Sequence, residues 1–278
     1  MNLLLWGTDM DERMFPTLDL IQEIGFRGVE VPIFSTNPTD WIPWRKRLDA
    51  LGLYREADTF CGPEVNLIST DKVVRETAVE HLKRCVDCAV VIGATKLMGP
   101  YHSALGVFTG QPPTPDEWKW GVEGIQRLAD YAQTQGITLG LEYLNRFELY
   151  LTSSASELMR FVDDVAHSHC QIMFDTFHAN IEEKHIGESL RQLGERVVFI
   201  QLSENDRSTP GKGHVDWNGT FGAIRDMGYS GWLSIEAFGP ALPAANIWRK
   251  MYTSEEQLMR EGLAFIQQKS LEFQLPNS

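Results

Sequence analysis

Four polar residues stand where short apolar runs end. Glu142 follows Thr138-Leu139-Gly140-Leu141, and Asp175 follows Gln171-Ile172-Met173-Phe174. Gln201 lies near the end of Val197–Leu202, and Glu236 follows Trp232-Leu233-Ser234-Ile235. Surface carboxylates are ordinary in a chain with 38 acidic residues, but a carboxylate at the end of an apolar run is expected to be buried. Burial costs several kcal/mol unless the charge is paired or binds a cation. Two remedies are open: one or two of the carboxylates pair with an Arg, or all share a divalent cation. Three carboxylates and one amide oxygen form an oxygen-only donor set, which suits Mn²⁺ or Mg²⁺ better than Zn²⁺. There is no His-x-x-x-His pattern, and Cys85-x-x-Cys88 lies in an amphipathic stretch far from a second pair. Further polar residues follow the same runs: Glu148 six after Glu142, His178 three after Asp175, and Arg207 six after Gln201. His178 is expected in a loop. His102 and His214 are weaker ligand candidates.

Such residues converge only if the runs that carry them are neighbouring strands. Eight short runs alternate with helical patterns: Leu3–Gly7, Gly28–Ile33, Tyr54–Phe60, Lys96–Met98, Thr138–Leu144, Gln171–Asp175, Val197–Leu202 and Trp232–Glu236. Between them, helices are expected near Phe15–Ile24, Trp41–Leu51, Lys72–Ile92, Pro115–Gln135, Gly187–Leu193 and Trp217–Met227, with a last one over Glu255–Gln268. Ser154 and Glu157 have capping-box spacing, and Leu158, Phe161, Val162 and Val165 then form a helical stripe. Eight alternating units in 278 residues predict a (β/α)8 TIM barrel occupying residues 1–278 as one domain. In a barrel the strand ends named above share one mouth. An open doubly wound sheet would predict G-x-G-x-x-G after an early strand, and none occurs. Gly211-Lys212-Gly213 reads as a turn. Trp6, at the end of the first run, is placed either to stack on a sugar or to join the core.

Composition narrows the partners. The formal net charge is −13, which argues against nucleic acid or an anionic membrane. No stretch approaches the length of a membrane span, and Met1–Asp9 lacks the pattern of a signal peptide. Four cysteines are too few for a disulfide framework, so a reducing cytoplasm is the expected location. No Gly-x-Ser-x-Gly elbow supports serine hydrolase chemistry.

Four segments, in order, resemble the ketose 3-epimerases of the xylose-isomerase-like barrel superfamily. They are Leu141-Glu142-Tyr143-Leu144-Asn145-Arg146-Phe147-Glu148, Asp175-Thr176-Phe177-His178-Ala179-Asn180-Ile181-Glu182-Glu183, Ser203-Glu204-Asn205-Asp206-Arg207 with Pro210–Gly213, and Ile235-Glu236-Ala237-Phe238. The resemblance runs over nearly the whole chain. It implies a metal-dependent sugar epimerase with one divalent cation, Mn²⁺ first and Mg²⁺ or Co²⁺ next. Glu142, Asp175 and Glu236 match three metal ligands of the family, and the two glutamates match its acid/base pair. Glu148, His178 and Arg207 match residues that hold the sugar, and Phe238 matches an apolar wall. Gln201 stands where the family has His, which exchanges an imidazole for a harder amide oxygen. The resemblance also implies a homodimer or homotetramer. The expected reaction is C3 epimerisation of a free ketose through an enediolate. Aldose–ketose isomerisation on the same site and a non-catalytic sugar-binding barrel are the alternatives. The DNA-repair endonucleases of this fold require a His-rich zinc site and a basic face, which this chain lacks.

Overall fold

A computed structural model describes residues 1–276, so the last two residues of the expected domain, 277 and 278, lie outside the described range. Seven parallel strands follow one another around the sheet in chain order: β1 Gly28–Pro32, β2 Tyr54–Asp58, β3 Lys96–Gly99, β4 Thr138–Glu142, β5 Cys170–Asp175, β6 Val197–Leu202 and β7 Leu233–Ile235. Helices α1 Phe15–Ile24, α2 Ile42–Leu51, α3 Lys72–Ile92, α4 Pro115–Thr134, α5 Ala155–Val165, α6 Thr176–Glu182, α7 Ile186–Leu193, α8 Trp217–Asp226 and α9 Glu255–Glu272 complete the alternation.

The first expected strand is not formed. Leu3–Trp6 is a 3₁₀ turn, capped by Asn2, whose side chain accepts from the Leu4 N–H at 2.9 Å. Leu3, Leu4 and Leu5 are all buried, and an unbroken apolar run of this kind carries no period that separates strand from helix. The place of the eighth strand is taken by Met1 and Asn2. Glu30 donates its N–H to the Met1 carbonyl at 3.0 Å, and Asn2 donates its own to the Ile235 carbonyl at 2.9 Å. Asn2 thereby bridges β1 and β7 and closes the barrel.

The helical shell follows the apolar stripes. In α5, Leu158, Phe161, Val162 and Val165 are buried, and Ser154 caps the helix by accepting from the Glu157 N–H. The Glu157 carboxylate returns to the Ser153 N–H rather than to Ser154. Alternation along the strands sorts the barrel interior. Met173 lies two residues before Asp175, and Phe199 two before Gln201, so each pair shares a face. Met98, Met173 and Phe199, with Trp232 against them, form an apolar layer. The polar residues form the next layer toward the mouth. β5 and β6 are in register with Asp175 opposite Gln201, and β6 sets Gln201 opposite Ser234.

Candidate active site

Glu142 ends β4, Asp175 ends β5, Gln201 lies in β6 and Glu236 follows β7; all four are buried. Asp175 does two jobs. One oxygen caps α6 by accepting from the Phe177 N–H at 2.8 Å, which starts that helix directly from the strand. The other accepts from Arg207 Nη1 at 2.7 Å. His178 therefore sits in the first turns of α6, not in the expected loop, and points back at the strand ends. Its Nδ1 accepts from the Asn145 N–H at 3.0 Å. Arg207 Nη2 stands 3.0 Å from Nε2, so each ring nitrogen faces a group that can only donate. Nε2 also lies 3.6 Å from Glu142 Oε1 and 3.7 Å from Asp175 Oδ2.

Arg207 is buried and spans the site. Its Nη1 also reaches Glu236 Oε2 at 2.6 Å, and its guanidinium lies between the rings of Phe177 and Phe238, 3.7 and 4.5 Å from their centroids. Its backbone is left-handed, with φ of 62°. The loop around it is gathered by the buried Glu204 carboxylate, which accepts from the N–H groups of Gly211 and Val215 and from the Trp217 indole. Gly213 is required there, since a Cβ would stand 2.0 Å from Asn205 Oδ1. Lys212 pairs with Glu261 on α9.

Glu236 is held from three sides. Besides Arg207, Asn2 Nδ2 and Gln201 Nε2 donate to its Oε1, at 2.9 and 3.0 Å. Each amide spends its second N–H on a deeper carboxyl: Asn2 on Asp58 at 3.0 Å and Gln201 on Glu30 at 2.7 Å. Glu148 accepts from Asn145 Nδ2 at 2.8 Å. A cavity of about 220 Å³ opens over Glu148, Phe177, Arg207 and Phe238, with Ile247 and Met251 on its outer side. Trp6 is half-buried against the core and does not line it.

Five buried carboxyl groups, Glu30, Asp58, Glu142, Asp175 and Glu236, thus crowd the site, and Arg207 pairs with two of them, Asp175 and Glu236. Burial, with Asp175 close by, pushes Glu142 well above the usual carboxylate range. Burial does the same to Glu236, against the pull of Arg207. Burial also raises Glu30, to about 7, and Asp58. Asp175 resists its own burial and is held low by Arg207 and His178. Burial lowers His178 to about 4, so its ring is neutral. The donor set fits a divalent cation. Ligand atoms of Glu142, Asp175 and His178 lie within 4.8 Å of one another. Glu142 Oε1 and Gln201 Oε1 are buried without a hydrogen-bond partner. Sequence reasoning overlooked Asn2, Glu30, Asp58 and Asn145. Glu30 and Asp58 obey the same signal as the others, a carboxylate inside or ending a strand run.

The sequence matches the family model of the xylose isomerase-like TIM barrel over residues 18–269. It is 37% identical to a D-psicose 3-epimerase of Enterocloster bolteae, covering 92% of this chain and 88% of that one. The chain belongs to the ketose 3-epimerase family. Another member, a D-psicose 3-epimerase of Agrobacterium fabrum, is 30% identical over 88% of each chain. Among solved ketose 3-epimerases, an L-ribulose 3-epimerase superposes with a TM-score of 0.94 at 26% identity, covering 99% of this chain and 94% of the other. A Methylomonas sp. D-allulose 3-epimerase, solved in complex with D-allulose, gives 0.91 at 25% identity, covering 96% and 95%.

Proposed function

We propose that this chain epimerises a free ketose at C3 by moving a proton between two glutamates on opposite walls of the barrel. The observation that carries this reading is the pairing of Glu142 on β4 with Glu236 beyond β7, three strands apart around the ring, with Arg207 and His178 between them. Epimerisation next to a carbonyl needs a base on one face and an acid on the other. Burial raises both glutamates, but Glu236 accepts three hydrogen bonds, one from a guanidinium, which oppose that effect and suit it better than Glu142 as the resting base. Glu142 Oε1 has no such donor and lies buried, which favours the neutral acid. The reverse reaction exchanges the two roles. Arg207 stabilises developing oxyanion charge, and His178 beside it hydrogen-bonds a sugar hydroxyl. Glu148 and Phe238 line the cavity over these groups, and Glu148 is assigned the outer hydroxyl end of the sugar.

A divalent cation, Mn²⁺ in this reading, would be held by Glu142, Asp175, Gln201 and Glu236 and would supply Lewis-acid polarisation of the ketose oxygens. The free Gln201 Oε1 supports its place in that set, since both N–H groups are already engaged. His178 Nε2, which lies beside Arg207 Nη2, is assigned with that arginine to the sugar. The same reading takes residues 1–278 as one barrel domain that works as a dimer or tetramer in the cytoplasm, without nucleic acid or membrane partners. Among the described residues no helix is long and apolar enough to cross a membrane.

Proton NMR in D₂O tests this with Mn²⁺-loaded protein and a panel of free ketopentoses and ketohexoses. Deuterium at C3 together with a new 3-epimer is expected. Exchange at C1 with aldose formation would replace the reading by isomerisation, and no exchange with metal bound would refute it.

A further inference from the structure

We infer that Asn2 is a positioning residue for the reaction, orienting the Glu236 carboxylate from the seam of the barrel. The inference rests on Glu236 being the base proposed above. Every polar atom of the Asn2 side chain is committed. Oδ1 accepts from the Leu4 N–H at 2.9 Å, which fixes which end of the amide is oxygen. Nδ2 then has its two hydrogens facing Glu236 Oε1 at 2.9 Å and Asp58 Oδ2 at 3.0 Å. The amide cannot turn without losing three bonds in a buried setting, where Asn2 is 1% exposed. Asn2 grips the same strand a second time, because its backbone N–H bonds to the carbonyl of Ile235, the residue before Glu236.

The three donors on Glu236 divide the work. Arg207 lies on the cavity side, where it is assigned to the sugar. Gln201 is the proposed metal donor. Asn2 touches neither the cavity nor the proposed cation donors other than Glu236. It holds one carboxylate oxygen, Oε1, leaving Oε2 for Arg207 and the reacting proton. Asp58 backs the amide from behind. It has the burial and the acceptor to fix the second N–H, and its place at the end of β2 is set by its opposition to Pro32 on β1.

Asn2→Ser separates this role from the structural one. Serine keeps an oxygen that can cap the Leu4 N–H and keeps the backbone bridge, but it is too short to reach Glu236 and adds no charge. The expected result is a kcat lowered about 10- to 100-fold, the range for losing one hydrogen bond to a charged group. KM should change by less than about threefold, and the thermal midpoint should fall by several degrees as Asp58 and Glu236 each lose a buried donor, without loss of the fold. A crystal structure of the same variant should show the Glu236 carboxylate rotated from the orientation fixed by Asn2. An unchanged kcat, or a kcat and KM that worsen together with Glu236 unmoved, would overturn the inference. If the wild-type protein shows no C3 exchange, the functional reading fails by itself, and the orientation of Glu236 in the variant crystal still decides the role of Asn2.

Discussion

Glu236 and Gln201 share a hydrogen bond but are assigned different duties, and substitution separates them. Glu236→Gln preserves size and removes the base. Deuterium incorporation at C3 is expected to fall by roughly 10²- to 10⁴-fold, the usual worth of a positioned acid or base. NMR exchange rates check this, and full activity would end the two-carboxylate mechanism. Gln201→His acts in the other direction. It exchanges a hard amide oxygen for an imidazole nitrogen and gives up one of the two N–H groups now bonded to Glu30 and Glu236. Activity should survive, while preference shifts toward Co²⁺ over Mn²⁺ by about tenfold or more, read by competition calorimetry.

At the scale of elements, β2 and β3 meet most tightly at the mouth. Gly99 ends β3 with φ of 125°, and a Cβ there would stand 2.1 Å from the Thr59 carbonyl oxygen. Gly99→Ala adds backbone strain to a backbone clash and should cost about 2–6 kcal/mol, measured as a lower denaturant midpoint. Helices α3 and α5 were legible because buried residues recur at helical spacing between a cap and a stop. The strand ends that carry Glu142, Asp175 and Glu236 were legible because an acid that closes an apolar run is rare on a buried face. Two elements were not legible. Leu3-Leu4-Leu5 has no period, so nothing in its pattern announces a turn pinned by the Asn2 cap. α6 begins on the residue after β5, with Asp175 serving as strand end and helix cap at once, and no linker composition marks the change. Lone acids in β1 and β2 were passed over for lack of a partner motif, although burial draws Glu30 and Asp58 into the same interior.

Across the whole molecule, pH acts through buried imidazoles as well as carboxylates. His102 is fully buried, its Nδ1 has no partner, and burial lowers its pKa to about 3 from 6.5. The unfolded chain binds a proton at this residue as pH falls below 6.5, whereas the folded chain does not until about 3. Its contribution is therefore intact above 6.5 and is lost on acidification through that window, by up to about 1.4 kcal/mol per pH unit. His178 adds a dependence of the same sign. Denaturation curves between about pH 7 and pH 4 should fall less steeply for His102→Gln than for the wild type. Neighbouring strands share two to five paired residues, whereas the closing line of the barrel rests on the short stretch Met1–Asn2. A hoop fails at its clasp, and this clasp abuts the residue proposed to take the proton. Fraying that starts there disarms the chemistry while most of the helical wall still stands, so catalytic competence reports on the weakest joint of the ring.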